Sequence, residues 1–431
     1  MSATDAGERT ASYRDALAEP RFRAVLGAQT LAVPADTLRT LALSVSVYRA
    51  TDSPLLGALA YGLPFVPQLV GGSLLGVLAD RVRPRRLIVA GYAVDGVVTL
   101  VLAAGRTPVW GSLVLVVAVA FVTPVLIGVS SRVVARVLDG ERYVAGRSLS
   151  LTTASLAQLL GLAAGGGVVA ALGPGGAFLV AGVLHLAAGL WVRVRLPDLL
   201  VPGAAPTERS GTVRGAWEGT RRLFRDSRIR TLITLYWVPP AFVTGAESLV
   251  VPYATDRWSP GRAGLLLAAV PAGVSVGMVL VGRCATPAAR DRLAVPLLLL
   301  TGTPLLPYWL PLPYALALAL YGLCGIGMAY ALCLQSRFRE LVPAENLGQA
   351  FSLVASGTMT AQGLSPPVFG TVAEFLSTGS AIGLAGVAAV LFAALRASRV
   401  RALLARAVVR PGGTPQRSGA RRPTIRRQGR Q

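Results

Sequence analysis

A few ionisable side chains fall inside long apolar stretches of this chain, where a charge is costly. Asp36 and Arg39 share one stretch, Asp95 lies in a second and Glu247 in a third. An ionisable residue at the centre of a bilayer costs about 2.5–3.5 kcal/mol on insertion scales, so such residues mark ion or substrate pathways or structural pairs. We predict that Glu247, Asp36, Arg39 and Asp95 take part in proton coupling.

The spacing of these residues leaves structural alternatives open. Asp36 and Arg39 are three positions apart, which places them on one helix face where they can pair. Asp95 can face a cavity, or pair with Arg132. A role for these residues in fixing the packing of helices is therefore as open as a role in transport.

Glu247 is the strongest single candidate for proton coupling. The nearest basic residues in the sequence, Arg230 and Arg257, are at least ten positions away and too far for pairing within one helix. A buried carboxylate without a cationic partner favours its protonated form and can load and release a proton. The alternative is an ion pair with an arginine of another span, Arg39 included.

Other polar residues within the apolar stretches are candidates for the lining of a cavity. An imidazole can titrate near neutral pH, and buried amides can bind a ligand or join helices by hydrogen bonds. The alternative for the histidine is a packed, hydrogen-bonded group. The candidates are Gln68, Gln158, His185, Gln335 and Gln362.

The residue types that the chain lacks exclude several classes of enzyme. There is no lysine, so neither a P-loop nor a pyridoxal Schiff base can form. A single histidine excludes the HExxH motif and any site with several histidines. The three cysteines have no metal-binding spacing. We predict that the protein is not an enzyme and uses neither a cofactor nor a metal.

The composition indicates which elements position these residues. The chain has 431 residues, of which 53% are hydrophobic and 14% charged, against roughly 25% charged residues in soluble domains. A spanning helix needs about 20 apolar residues. We predict an all-α polytopic membrane protein whose spans are 24–48, 55–78, 87–104, 110–134, 149–172, 176–194, 231–253, 264–281, 293–310, 314–334, 348–369 and 382–397.

About twelve spans divide at the longest internal polar stretch into two six-helix bundles with pseudo-symmetry. The predicted units are a terminal segment, a first bundle, a linker, a second bundle and a basic disordered tail. Their boundaries are 1–23, 24–194, 195–230, 231–400 and 401–431.

The distribution of arginine predicts the orientation in the membrane. Of the 42 basic residues, four fall in loops on one side, Arg39 falls in a span, and the rest lie on the other side. The positive-inside rule then puts both termini in the cytoplasm. The basic face is expected to attract anionic lipids and no nucleic acid.

Several segments resemble the major facilitator superfamily, and most closely its bacterial branch that includes the enterobactin exporters. The similarity covers nearly the whole chain. The segments are Gly27-Ala28-Gln29-Thr30 with Asp36, Tyr48 to Pro54, Gly76 to Arg81 followed by Arg85-Arg86, Leu159-Leu160-Gly161 with Gly165-Gly166, and Leu341 to Glu345.

The resemblance implies a secondary transporter that works by alternating access in the bacterial plasma membrane, usually as a monomer. It also implies that one cytoplasmic loop acts as a conformational switch, held by charge pairs between the two halves. A solvated cluster of topogenic charges is the alternative for that loop. The residues of the switch loop are Gly76, Asp80, Arg81, Arg85 and Arg86.

We predict proton-coupled efflux of a small lipophilic molecule, such as a drug, an antibiotic or a siderophore. The low content of buried charge suits such a substrate. One alternative is a nutrient importer or facilitator. Another is a non-transporting scaffold that keeps the fold, because Arg83, Leu162 and Leu347 depart from the signatures of the family.

Overall fold

The structure, a computed structural model, describes residues 13–65, 67–68, 82–197, 220–221, 223–343 and 346–405. This part of the chain is helical and has no β-strand. The helices are α1 (Tyr13–Leu17), α2 (Pro20–Thr51), α3 (Pro54–Gly62), α4 (Pro84–Ala103), α5 (Val109–Val137), α6 (Gly140–Arg195), α7 (Ser227–Ser248), α8 (Val250–Arg257), α9 (Arg262–Val279), α10 (Pro287–Leu300), α11 (Tyr314–Gly327), α12 (Tyr330–Leu341), α13 (Leu347–Phe375) and α14 (Thr378–Ala405).

Several predicted spans do not correspond to one helix each, because one helix contains two spans and other spans are divided by breaks. Helix α6 contains two predicted spans, separated at Gly173, whose φ of 69° is in the left-handed region that favours glycine. The seventh span is split into α7 and α8 at Leu249. A π-helical turn, Leu280–Cys284, continues α9, and a 3₁₀ helix, Thr303–Trp309, continues the span of α10.

Six segments among the described residues are long and apolar enough to cross a membrane. One of them covers both spans of α6. They are Pro84–Ala103, Val109–Val137, Ala145–Arg195, Arg262–Arg283, Tyr314–Leu341 and Thr378–Leu404.

The helices form two bundles. In the first half of the chain, α2 and α4 both pack along α6. In the second half, α7 packs against α13 and α14, and α9 packs against α11. The halves meet where α6 contacts α9 and where α3 contacts α13. This is the predicted fold class, an all-α bundle of spanning helices in two halves.

The hydrogen bonds that join the two halves among the described residues all lie at one end of the molecule. We call this the far end, because it is opposite the end that carries α1 and the last turn of α14. The Tyr48 hydroxyl donates to an Asp256 carboxylate oxygen over 2.6 Å. The Ser53 hydroxyl and the Leu55 amide both donate to the Glu374 carboxylate, the latter over 3.0 Å. The far end is therefore closed.

Glycines bring the helix backbones together at the same interface. A Cβ atom added to Gly264 on α9 would lie only 2.6 Å from the Cα of Gly166 on α6. Small residues at such positions allow this close approach of spanning helices.

Candidate functional site

Helix α2 carries the first ion pair of the site. The Arg39 Nη2 atom lies 2.8 Å from an Asp36 carboxylate oxygen, as the spacing of i and i+3 allows. The Asp36 side chain is 40% exposed, whereas that of Arg39 is 8% exposed. The aspartate is therefore the member of the pair that solvent or a ligand can reach.

Helix α4 adds a second carboxylate to the same guanidinium. The Arg39 Nη1 atom donates to Asp95 over 3.0 Å. Asp95 is buried, and its backbone carbonyl accepts a hydrogen bond from the Thr99 hydroxyl. The partner of Asp95 in this structure is thus Arg39, which bridges two helices with the two arms of its guanidinium.

Helix α6 brings the single histidine to the same place. The Nδ1 atom of His185 lies 2.9 Å from the Ala181 carbonyl oxygen, one turn earlier. Its Nε2 atom lies 3.1 Å from the Asp36 carboxylate oxygen that Arg39 also contacts. His185 is completely buried. We call Asp36, Arg39, Asp95 and His185 the mid-span cluster.

The donor atoms of this cluster have the spacing of a cation site. Asp36, Asp95 and His185 each offer one ligand atom, and these atoms lie within 4.8 Å of one another. The Arg39 guanidinium already contacts both carboxylates. The positive charge that the two aspartates require at mid-span is therefore supplied by a side chain of the protein.

A cavity of about 390 Å³ in the first half opens onto the cluster. It extends from Asp36 and Asp95 to Arg147, near the start of α6 at the end that carries α1. Its wall combines apolar and polar side chains. These include Gln29, Tyr92, Thr123, Leu126, Ile127, Ser130, Leu151 and Gln158.

Glu247 lies apart from the mid-span cluster. It occupies the last turn of α7, next to the break at Leu249, and is partly buried. Within the described part of the chain its carboxylate forms neither an ion pair nor a hydrogen bond, and it lies within electrostatic range of Tyr61 and Tyr321. Arg39, the partner considered from the sequence, is engaged by the two aspartates instead.

The other cavity candidates lie in different places. Gln158 lines the cavity beside the cluster. Gln335 lines a separate cavity of about 320 Å³ in the second half, next to Tyr236 and Phe351. Gln362 donates to the Thr244 hydroxyl over 3.0 Å and joins α13 to α7. Gln68 is partly buried in the second predicted span.

Most of the predicted switch loop, with Gly76, Asp80 and Arg81, lies outside the described residues. Arg85 donates over 2.5 Å to the carbonyl oxygen of Arg193 at the end of α6, a contact within the first half. Arg86 is exposed.

The contacts at the far end were not predicted from the sequence. Tyr48 and Ser53 flank the first loop, and Asp256 and Glu374 end their own spans. Hydroxyls and carboxylates at the same end of their spans were a visible signal. Their pairing depends on how the two halves are placed, which a single sequence without an alignment does not reveal.

Comparison with known proteins identifies the family. The model of the Major Facilitator Superfamily matches residues 26–333. The chain belongs to this superfamily of membrane transporters. The particular branch expected from the sequence is not identified by these comparisons, and no curated protein sequence matches the chain.

Solved transporter structures share the fold. The nucleoside transporter NupG is 12% identical, with a TM-score of 0.68 over 89% of this chain and 98% of that one. The peptide transporter POT in complex with sulfate is 16% identical, with a TM-score of 0.67 over 89% and 95%. A bacterial homolog of the human lysosomal transporter Spinster, inward-facing and unoccupied, is 14% identical, with a TM-score of 0.63 over 90% and 98%.

Proposed function

We propose that this protein is a proton-coupled exporter of small, largely apolar molecules in the bacterial plasma membrane. The observation that carries the proposal is the cavity of the first half, which is lined at its inner end by Asp36 and Asp95 of the mid-span cluster. A charged cluster at this depth is costly in a membrane and is found where ions or substrates pass.

The character of the cavity favours the substrate class. Its volume of about 390 Å³ is in the range of sites for drug-sized ligands. Leu126, Ile127 and Leu151 give it apolar walls, and Gln29 and Gln158 supply a few polar contacts. Such a site binds a molecule that is mostly apolar and has a small number of hydrogen-bonding groups.

The arrangement of the two halves favours alternating access. The halves are hydrogen-bonded to each other at the far end, whereas the cavity extends to the end that carries α1. A rocking motion that breaks the contacts at the far end would expose the same cavity to the other side. Proton binding at mid-span would bias the two states by its difference in affinity for them.

The same proposal includes the orientation and the lipid partners. With the termini in the cytoplasm, the cavity faces the cytoplasm and can collect a substrate for export. On that face, a surface cavity of about 320 Å³ is lined by Arg228, Arg230 and Arg399. These arginines would attract anionic headgroups. We also propose that the two bundles cover residues 24–194 and 231–400 and that the protein is a monomer.

The experiment measures flux in proteoliposomes with and without an imposed proton gradient. The substrate panel contains lipophilic dyes, a nucleoside and a dipeptide, because the solved structures of similar fold include nucleoside and peptide transporters. We expect gradient-driven loss of dye from the proteoliposomes and reduced loss with Glu247→Gln or Asp36→Asn. The matched control is Glu340→Gln, which changes an exposed acid at the end of α12.

The alternatives predict different results. Gradient-driven accumulation of the nucleoside or dipeptide would show that the protein is an importer and not an exporter. An absence of flux for every substrate, with folded protein, would favour the scaffold hypothesis. Gradient-driven efflux that both variants leave unchanged would remove Glu247 and Asp36 from the coupling path.

A further inference from the structure

The hydrogen bonds of His185 fix the position of one ring proton. The Ala181 carbonyl oxygen can only accept, so the Nδ1 atom, 2.9 Å away, carries a hydrogen. In a neutral imidazole with this tautomer, Nε2 has only a lone pair. Yet Nε2 lies 3.1 Å from a carboxylate oxygen of Asp36, which when ionised also has only lone pairs.

Two acceptors would repel each other at this distance. His185 is completely buried, so the ring has no alternative partner in solvent. A second proton between Nε2 and the carboxylate converts the contact into a charge-assisted hydrogen bond. The geometry therefore requires the pair to hold one proton more than a neutral histidine and an ionised aspartate.

The neighbouring charges place this proton on the histidine. Arg39 donates over 2.8 Å to the same oxygen of Asp36, which favours the ionised carboxylate. Asp95 also contacts Arg39 and balances the second positive charge. Tyr92 is a further titratable group near the two aspartates. With His185 as an imidazolium, the charges of the mid-span cluster sum to zero.

We infer that His185, held by Asp36, is the group that carries the coupled proton. Asp36 is exposed on the cavity while His185 is not, so the proton enters and leaves through the aspartate. The proton is transferred between Nε2 and the carboxylate oxygen, and then exchanges with water in the cavity. This inference rests on the proposed function and names the residue that performs its proton step.

The chain has only one histidine, which makes a direct test possible. The full-length protein is prepared with ¹⁵N-labelled histidine in lipid nanodiscs, using an affinity tag without histidine. The ring nitrogen signals distinguish the imidazolium from each neutral tautomer. We expect both nitrogens of the wild type to be protonated at pH 7. In Asp36→Asn we expect a neutral ring with the proton on Nδ1.

A control variant and a transport measurement keep the inference falsifiable. Asp256→Asn removes a carboxylate at the far end and should leave the ring imidazolium. His185→Gln can still donate an amide hydrogen bond to Asp36, but its side chain neither gains nor loses a proton near neutral pH. We expect it to retain downhill substrate exchange and to lose gradient-driven flux.

The outcomes separate the inference from the proposed function. A neutral ring in the wild type, or an imidazolium that persists in Asp36→Asn, would overturn the inference even if the protein exports its substrate. Gradient-driven flux that survives in His185→Gln would also overturn it. An imidazolium that depends on Asp36, in a protein without gradient-driven flux of any substrate, would refute the proposed function and leave the proton site in place.

Discussion

The hydroxyl of Tyr48 donates a hydrogen bond of 2.6 Å to the carboxylate of Asp256, and this bond joins the two halves of the protein. Tyr48 lies at the end of α2 and Asp256 in α8, more than 200 positions later in the chain. The contact belongs to a conformation that is closed at the far end. Its loss should therefore change the balance between conformations more than the stability of either bundle.

Tyr48→Phe should favour opening of the far end. A hydrogen bond contributes about 0.5–1.5 kcal/mol, so we expect about a fivefold change in the ratio of the two states. Distances between spin labels at Arg49 and Phe375, one in each half, report this opening. The control is Tyr314→Phe, whose hydroxyl donates to the Arg262 carbonyl within the second half. Equal distance distributions in all three proteins would contradict the prediction.

Gly264→Ala should act more strongly at the same interface. The added Cβ would lie 2.6 Å from the backbone of Gly166, which cannot move as a flexible side chain can. Overpacking of this kind costs about 1–3 kcal/mol, here only in the closed state. The same label pair should report a more open far end. Gly167→Ala is the matched control, because a Cβ there would meet nothing within 4 Å. A similar response of both variants would refute the steric explanation.

Arg39→Gln should destabilise the protein far more than Glu247→Gln. Removal of the guanidinium leaves the carboxylates of Asp36 and Asp95 without the charge that both contact, and breaking a buried pair costs about 3–5 kcal/mol. Glu247 loses no such contact with the described residues. Thermal unfolding in detergent should give a large fall in Tm for the first variant and a small change for the second. Similar Tm values would show that the cluster contributes little to stability.

Replacement of Arg228, Arg230 and Arg399 by Gln should weaken the binding of anionic lipid. Each arginine near an anionic surface contributes about 1 kcal/mol, so the triple variant should bind at least tenfold more weakly. Native mass spectrometry with phosphatidylglycerol measures the effect, and inorganic phosphate tests whether the headgroup alone suffices. Arg49→Gln and Arg106→Gln, predicted on the opposite face, serve as controls. Equal lipid retention in both sets would exclude this cavity as a lipid site.

The sequence by itself determined the fold class and the family. Long apolar stretches can be stable in a bilayer only as helices that satisfy their own backbone hydrogen bonds, so hydropathy predicts spans without knowledge of packing. The kink at Gly173 agrees with the predicted boundary between two spans. The spacing of Asp36 and Arg39 likewise predicted a pair, because residues three apart on a helix are neighbours whatever surrounds them.

The tertiary structure alone decided which of the polar residues meet. Asp95 and His185 are far from Asp36 in the chain, and only the packing of α4 and α6 against α2 brings them to one guanidinium and one carboxylate. The same holds for Tyr48 and Asp256, because contacts between separate spans depend on the rotation and depth of each helix. Helical periodicity fixes the neighbours of a residue within its own helix, whereas partners on other helices follow from how the helices pack together.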